Sequence, residues 1–135
     1  MREILFRGKA FDGKWVEGFY YFLHSYLPTT DTIYRTDHYI TAHSVGSSVR
    51  PETIGQFTGL TDKNGKKIFE GDIVQYYGTY ALEVFIENGH TKTRWFDTVT
   101  KSECTELFFG HDEEALGEVE VIGNIHDNPE LLEGE

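Results

Sequence analysis

Apolar and aromatic residues in this chain occur in short runs interrupted by polar turns, a pattern typical of β-strands joined by tight connections. Asp12-Gly13 precedes one such run, residues 14–23, and Asn88-Gly89 separates residues 80–86 from residues 91–96. Asp-Gly and Asn-Gly are favoured where both central residues of a two-residue hairpin turn need positive φ. The pattern therefore predicts two β-hairpins, each closed by a turn of this kind.

The segment between the first hairpin and the middle of the chain predicts a loop followed by two short strands. Residues 24–32 predict a loop, because Pro28 cannot donate to a strand ladder. Residues 33–35 and 38–41 predict two short strands on either side of Thr36-Asp37.

Residues 54–74 carry the clearest succession of local signals: a strand, a polar turn, a second strand, a break and a third strand. In the turn, the Asp62 side chain can accept a hydrogen bond from the backbone two residues on, while Asn64 and Gly65 tolerate left-handed conformations. Gly71 interrupts the apolar run that follows, which predicts a bulge or sharp corner. The predicted core residues of this block are Phe57, Leu60, Ile68, Ile73 and Val74.

Residues 118–125 alternate with period two, which predicts a strand with its valines turned inward. After it, Asn128 suits a helix N-cap and Pro129 the first helical position, so we expect a short C-terminal helix. The predicted fold class is mainly β: a small curved antiparallel sheet, or a partly open barrel, with one short C-terminal helix. A chain of 135 residues fits a single domain over residues 1–135.

The net charge of −11 belongs to one end of the chain. All 12 Lys and Arg and 12 of the 23 acidic residues lie within residues 1–101, so the whole net charge falls in residues 102–135. Acidic surface disfavours contact with nucleic-acid phosphates, which depends on cationic side chains. Two interpretations remain open: a solvated acidic face that maintains solubility, and a surface for a basic partner.

Cysteine usage and apolar run length indicate the compartment. Cys104 is the only cysteine, so an internal disulfide is impossible. Apolar runs fall short of the roughly 18 residues that span a bilayer, and Glu3 and Arg7 interrupt the stretch where a signal peptide would be apolar. These features predict a protein of the reducing cytoplasm without membrane contact.

Metal and cofactor sites find little support. A calcium loop that opens at Asp62 needs Gly at its sixth position and Glu at its twelfth, but Gly65 is fourth and Ile73 is twelfth. The six His residues do not fall at zinc-type spacings. We therefore predict that the protein holds no cofactor and no metal.

Two sets of residues support alternative functions. Glu70 and Asp72 would point the same way on a regular strand, where a carboxylate pair can bind a cation or transfer protons. The competing interpretation of this pair is a solvent-facing corner. The turn formed by Lys63–Lys67, together with exposed aromatic residues, would suit a nucleic-acid-associated module.

The run Phe19-Tyr20-Tyr21-Phe22 places large aromatic side chains on both faces of one strand. A small domain has one core to cover them, and an exposed aromatic patch usually marks an interface. The sequence therefore predicts self-association through this strand. The candidate interaction surface comprises Tyr20, Tyr21, Asp62, Asn64, Glu70 and Asp72.

Five blocks carry a family resemblance that spans nearly the whole chain: Arg2-Glu3-Ile4, Phe6-Arg7-Gly8-Lys9, Trp15-Val16-Glu17-Gly18, residues 51–74 and residues 120–132. Together, and in this order, they resemble the YopX family, whose members are encoded mostly by bacteriophages and integrated prophages. The resemblance implies a phage or prophage origin and residence in the cytoplasm of a bacterial host. The family has no assigned catalytic residues, so the resemblance supplies none.

Residues and resemblance together predict a non-enzymatic phage or prophage accessory protein that acts through protein–protein contacts. We expect a homo-oligomer, with a phage or host protein as a further partner. The alternatives are a nucleic-acid-associated module that uses the Lys63–Lys67 turn and exposed aromatic residues, and an enzyme that uses Glu70 and Asp72.

Because the spacing of His, Cys and carboxylate residues suits no metal site, we expect metal removal to leave folding unchanged. Melting curves followed by circular dichroism with and without EDTA should coincide. A melting temperature lower by several degrees in EDTA would contradict this expectation.

Overall fold

The computed structural model describes residues 4–42, 45–76, 81–97, 102–107 and 119–132. These residues are mainly β, as predicted. The strands are β1 (Phe6–Lys9), β2 (Trp15–Tyr26), β3 (Ile33–Ala42), β4 (Val45–Ser48), β5 (Gly55–Thr61), β6 (Lys67–Phe69), β7 (Asp72–Tyr76), β8 (Ala81–Glu87), β9 (His90–Asp97), β10 (Ser102–Leu107) and β11 (Val119–Asn124).

The chain divides into two compact units, and the N-terminal unit is Glu3–Gln56. Its strands are antiparallel and hydrogen-bonded in the order β4-β3-β2-β1, and the first residues of β5 pair with the other edge of β1. Ala10, Ile40 and Val49 are its buried apolar side chains among the described residues.

The first predicted hairpin is confirmed, but its turn differs from the prediction. The Ala10 N–H donates to the Lys14 carbonyl at 2.8 Å, and the Gly13 N–H donates to the Ala10 carbonyl at 2.9 Å. The loop therefore has three residues, and only Gly13 takes a positive φ, 89°. A three-residue loop needs its left-handed residue at the last position, so Asp12 stays at negative φ.

The predicted loop is confirmed at residues 27–32, but its start at residue 24 and the predicted break at Thr36-Asp37 are wrong. β2 continues to Tyr26, and β3 runs without interruption through Thr36-Asp37. The two strands pair from Phe19↔Thr41 to Tyr26↔Ile33. Pairing across strands overrides the weak strand propensity of Asp37, because each strand satisfies the backbone hydrogen bonds of the other.

The C-terminal unit contains a second antiparallel sheet in the order β10-β9-β8-β7-β11, together with the β5–β6 pair. The second predicted hairpin is confirmed as proposed: Asn88 has φ 52° and Gly89 has φ 79°, so both central turn residues are left-handed. The core of this unit comprises Ile68, Val74, Leu82, Val84 and Val119, with Leu60, Trp95 and Val121 packed against it.

Two features of the predicted fold class are corrected. The described strands form two antiparallel sheets rather than one curved sheet or a partly open barrel, and neither sheet closes on itself. The predicted C-terminal helix is a single 3-10 turn, Pro129–Leu132, in which the Leu131 N–H donates to the Asn128 carbonyl at 3.1 Å. Four residues are too few to make a stable α-helix.

Gly18 marks a close approach between β2 and β3. It is buried, and a Cβ atom at this position would collide with the backbone carbonyl oxygen of Thr41. We expect Gly18→Ala to lower the free energy of unfolding by about 1–3 kcal/mol, because the strands must move apart. Chemical denaturation measures this change.

The matched control is Glu17→Ala, which alters an exposed neighbour on the same strand. It should change the free energy of unfolding by less than about 0.5 kcal/mol. Equal losses in the two variants would contradict the steric explanation.

Candidate interaction surface

β2 and β3 pair over residues 19–26 of β2 and residues 33–41 of β3, which we call the β2–β3 ribbon; β4 pairs with β3 at one end of it, Tyr39–Thr41. Large apolar side chains on this ribbon are exposed: Phe19 by 69%, Phe22 by 50% and Tyr26 by 52%. Successive side chains of a strand alternate between faces, so both faces of the ribbon present apolar surface. This exposure is what the sequence predicted for the aromatic run of β2.

One face of the ribbon carries a row of rings in tilted or edge-on contact, which we call the aromatic ladder. Neighbouring ring centroids are 5.8 Å apart for Phe6–Tyr20, 6.3 Å for Tyr20–Phe22, 4.9 Å for Phe22–His24 and 6.2 Å for His24–Tyr26. These separations lie in the range of favourable ring contacts. His38 of β3 joins the ladder, with its ring parallel to that of Tyr20 at 5.9 Å.

Two hydrogen bonds across the ribbon hold the ladder rings in place. The Tyr20 hydroxyl and His38 Nδ1 are 2.7 Å apart, and His24 Nδ1 lies 2.8 Å from the Thr36 hydroxyl oxygen. Each bond joins a β2 side chain to a β3 side chain. The two bonds fix the orientation of the Tyr20, His38 and His24 rings.

The opposite face of the ribbon, unlike the ladder face, carries charged side chains. Tyr21 and Tyr39 stack there at 5.0 Å, beside an ion pair in which Arg35 Nε lies 3.0 Å from Asp37 Oδ2. The strand positions of the ladder face hold aromatic, aliphatic, hydroxyl and imidazole side chains, without a carboxylate, ammonium or guanidinium group. The uncharged surface is therefore confined to the ladder face.

Asp62 serves the fold of the C-terminal unit rather than an exposed surface. Its side chain is buried, and Oδ1 accepts hydrogen bonds from the N–H groups of Asn64 at 2.8 Å and Lys66 at 2.9 Å. Oδ2 accepts one from Val121 at 2.9 Å, which ties the turn to β11. Asn64 is exposed at the tip of this turn.

These contacts set the ionisation of Asp62. Burial by itself would raise the pKa of this carboxyl group, but hydrogen bonds from the Val121, Lys66 and Asn64 N–H groups outweigh it, with help from the Lys66 charge. The net effect is a pKa below the usual Asp value, because these donors favour the carboxylate.

The basic turn also engages β11. The Lys63 N–H donates to the Val119 carbonyl at 2.9 Å, and Lys63 Nζ lies 3.9 Å from Glu120 Oε1. Lys66 and Lys67 are exposed. One of the three cations assigned to a nucleic-acid contact is therefore close to a carboxylate.

The predicted corner at Gly71 is confirmed, with φ 94°. The Gly71 N–H donates to the Val84 carbonyl at 2.8 Å, and the Ile125 N–H donates to the Gly71 carbonyl at 2.9 Å. Asp72 is only 1% exposed, and its Oδ2 accepts a hydrogen bond from the Phe69 N–H at 2.7 Å. Glu70 is half-buried, so the two carboxylates do not form an open, solvent-facing pair.

Among the described residues, groups of three His, Cys, Asp or Glu side chains that could hold a metal ion are absent. Within the same part of the chain, the helical segments lack the length and apolar character needed to cross a membrane. Much of the acidic C-terminal segment, residues 108–118 and 133–135, lies outside the described residues.

Comparison with known proteins decides the family. A family model described as YopX protein matches residues 6–133. This chain belongs to the YopX family.

Solved structures and curated proteins add less than the family model. The crystal structure of protein EF1440 from Enterococcus faecalis is similar, with a TM-score of 0.54 and 24% sequence identity over 98% of this chain and 99% of that chain. At this level of identity the likeness concerns the fold alone. A search of curated proteins found no match.

In this YopX family member the sequence predicted strand for residues 19–23, 33–35 and 38–41 of the ribbon and missed residues 24–26 and Thr36-Asp37. The prediction included Tyr20 and Tyr21 but assigned His24 and Tyr26 to a loop. The signal that extends β2 is the aromatic alternation Tyr20, Phe22, His24 and Tyr26, which has the period of a strand. The structure brings these residues together, whereas Asp62 and Asp72 are buried in the C-terminal unit.

Because the pKa of Asp62 is lowered in the folded protein, the free energy of unfolding depends on pH in the acidic range. The carboxylate contributes stability that is fully present above the pKa of an unfolded Asp, about 3.9, and is lost as pH falls through the lower folded value. Asp62→Asn should lower the free energy of unfolding at pH 7 by about 2 kcal/mol. An Asn side chain has one acceptor oxygen and one N–H₂ group, so it cannot accept hydrogen bonds from all three N–H groups as the carboxylate does. The substitution should also flatten the dependence on pH below about 4. Denaturation curves between acid and neutral pH measure both effects.

Asp12→Asn is the matched control, because Asp12 accepts one N–H, from Lys14 at 2.9 Å, in an exposed turn. Its effect should stay below about 1 kcal/mol. A loss as large as that of Asp62→Asn would contradict the role assigned to the Asp62 carboxylate.

Proposed function

We propose that this YopX family member acts through protein–protein contacts of the β2–β3 ribbon, and that it self-associates. In this proposal it is a non-enzymatic accessory protein of phage or prophage origin, resident in the cytoplasm of the bacterial host. The observation that carries the proposal is the aromatic ladder, an ordered row of partly exposed rings on an uncharged face.

The energetic argument is the cost of leaving such rings in water. Full burial of a Phe-sized side chain contributes about 1.5–3 kcal/mol, and Phe22 and Tyr26 are each about half exposed. Aromatic residues are enriched where proteins meet. The Tyr20–His38 and His24–Thr36 bonds order the ladder beforehand, so a partner loses less side-chain entropy on binding.

The absence of charge on the ladder face favours a protein over a nucleic acid. Single-stranded nucleic acid binds where aromatic rings are combined with cations that follow the backbone. On the ribbon, the cation is Arg35, which lies on the opposite face and pairs with Asp37. The nucleic-acid alternative through the Lys63–Lys67 turn has less support, since Lys63 lies near Glu120.

The alternative of an enzyme built on Glu70 and Asp72 also has less support. A general acid or base must reach substrate, and Asp72 is 1% exposed with a carboxylate oxygen bonded to the backbone of Phe69. The contacts of Asp72 are those of a residue that stabilises the Gly71 corner. A phage or host protein could bind the ladder in addition to a second copy of the chain.

Phe22→Glu tests the proposal, because it places a charge in the middle of the ladder. The unaltered protein should be oligomeric by light scattering at micromolar concentration, and Phe22→Glu should shift it to the mass of a monomer. Phe22 is preferable to Tyr20 as the test position because the Tyr20 hydroxyl bonds to His38, so its loss would disturb the ribbon itself.

Phe11→Glu is the matched control, since Phe11 is an exposed aromatic residue (61%) in the β1–β2 turn, outside the ribbon. It should retain the oligomeric mass. A monomeric unaltered protein, or equal dissociation by Phe11→Glu and Phe22→Glu, would overturn the proposal.

A further inference from the structure

β2 is an open sheet edge along most of its length. β1 pairs with it only from Trp15 to Gly18, whereas β3 pairs with its other side from Phe19 onward. Within the described part of the chain, residues 19–26 therefore have a strand on one side only. An edge of this kind can accept another strand.

Hydrogen bonds elsewhere in the unit establish which backbone groups face that edge. The Ala10 N–H donates to the Lys14 carbonyl, so the even-numbered residues of β2 direct their backbone groups toward the β1 side. The Val49 N–H donates to the His38 carbonyl at 2.9 Å, so His38 faces away from β2. Phe22 lies directly opposite His38, so the backbone N–H and C=O of Phe22 also face away from the partner strand, toward the free edge of β2.

Over residues 19–25 the edge of β2 also lacks the features by which proteins normally protect sheet edges. Short length, charged residues and bulges are the usual devices. β4 has four residues and β6 has three, and β11 carries a bulge near Ile122. Residues 19–26 of β2 contain neither Pro nor a charged residue, and the ribbon stays regular as far as Ser25.

We propose that a second copy of this chain pairs with the free edge of β2, antiparallel and about a two-fold axis at Leu23. This inference rests on the self-association proposed above and specifies how it occurs. Phe22 then lies opposite His24 of the second copy, and Tyr20 lies opposite Tyr26. The two ribbons become one continuous sheet, and the two aromatic ladders become one surface.

The register follows from the geometry of the free edge. Residues whose backbone groups face outward must pair with each other, so even-numbered residues oppose even-numbered residues. With the axis at Leu23, the span from Tyr20 to Tyr26 pairs with itself completely. An axis at Phe22 would set Tyr26 opposite Gly18, whose edge already pairs with Phe6 of β1.

The side chains are compatible with this self-pairing. Aromatic cross-strand pairs stabilise sheets, and the ladder face would gain two kinds, Phe22–His24 and Tyr20–Tyr26. On the opposite face the two Leu23 side chains would meet. The paired span is uncharged, so it brings no like charges together even though the chain has a net charge of −11. Edge pairing also supplies main-chain hydrogen bonds, which do not depend on side-chain identity.

A cysteine at the axis tests the register. Residue 23 would face its own copy at a non-hydrogen-bonded position, where Cα atoms are about 4.5 Å apart, within disulfide range. In a background with Cys104→Ser, Leu23→Cys should form a covalent dimer under mild oxidation, seen on non-reducing gels. Ser25→Cys is the control, because its copy would lie four residues away, about 13 Å.

The outcomes separate the two proposals. A dimer that cross-links at residue 23 and not at residue 25 supports edge pairing. A dimer in light scattering that cross-links at neither position, or equally at both, overturns the edge pairing and leaves self-association standing. A monomer overturns both.

A second pair of variants tests the backbone without a cross-link. The His24 N–H would donate to Phe22 of the second copy, so His24→Pro removes that donor while leaving the backbone bonds to β3 intact. His24→Pro and His24→Ala both lose the side-chain bond to Thr36, so the two variants differ in the backbone donor. Sedimentation should show that the His24→Pro dimer dissociates at least about tenfold more readily than the His24→Ala dimer, because two hydrogen bonds are lost per dimer. Equal dissociation of the two variants would overturn the proposal.

Discussion

The C-terminal unit depends on one carboxylate that satisfies backbone donors where the strand ladder ends. Asp62 accepts two N–H groups of its own turn and a third from Val121, 59 residues further along the chain. Buried N–H groups without acceptors are costly, so this single side chain both shapes the β5–β6 turn and positions β11. Asp72 does the same on a smaller scale at the Gly71 corner, through the Phe69 N–H. Carboxylates that resemble a candidate site in the sequence are thus part of the framework.

In the N-terminal unit, by contrast, many side chains of the β2–β3 ribbon are exposed. Two-stranded hairpins are marginally stable in water on their own. Here the β2–β3 ribbon is stabilised by stacked rings on both faces and by the Tyr20–His38 and His24–Thr36 hydrogen bonds. The same stacking leaves apolar surface and an unprotected strand edge exposed. These are features that proteins usually keep only where a partner uses them.

Strand class, turns and family could be derived from the sequence because their signals are local. The Asn88-Gly89 turn, the Gly71 corner and the Asp62 turn all follow from the conformations that single residues tolerate. The core positions Phe57, Ile68, Ile73 and Val74 follow from strand alternation and are buried, with Leu60 half-buried. At residues 24–26 and at Thr36-Asp37 the prediction was wrong because cross-strand pairing overrode a weak local preference. At the C-terminal helix it was wrong because the segment is too short.

By itself, then, the sequence determined that the chain is mainly β, where its sharpest turns lie, and to which family it belongs. Only the tertiary structure decided the order of the strands, because β11 pairs with β7 across more than forty intervening residues and local propensity carries no information about such contacts. It also decided that Asp62 and Asp72 are buried while Phe22, His24 and Tyr26 form one exposed row. Burial depends on what packs against a residue, and that neighbour is set by the fold rather than by the adjoining sequence.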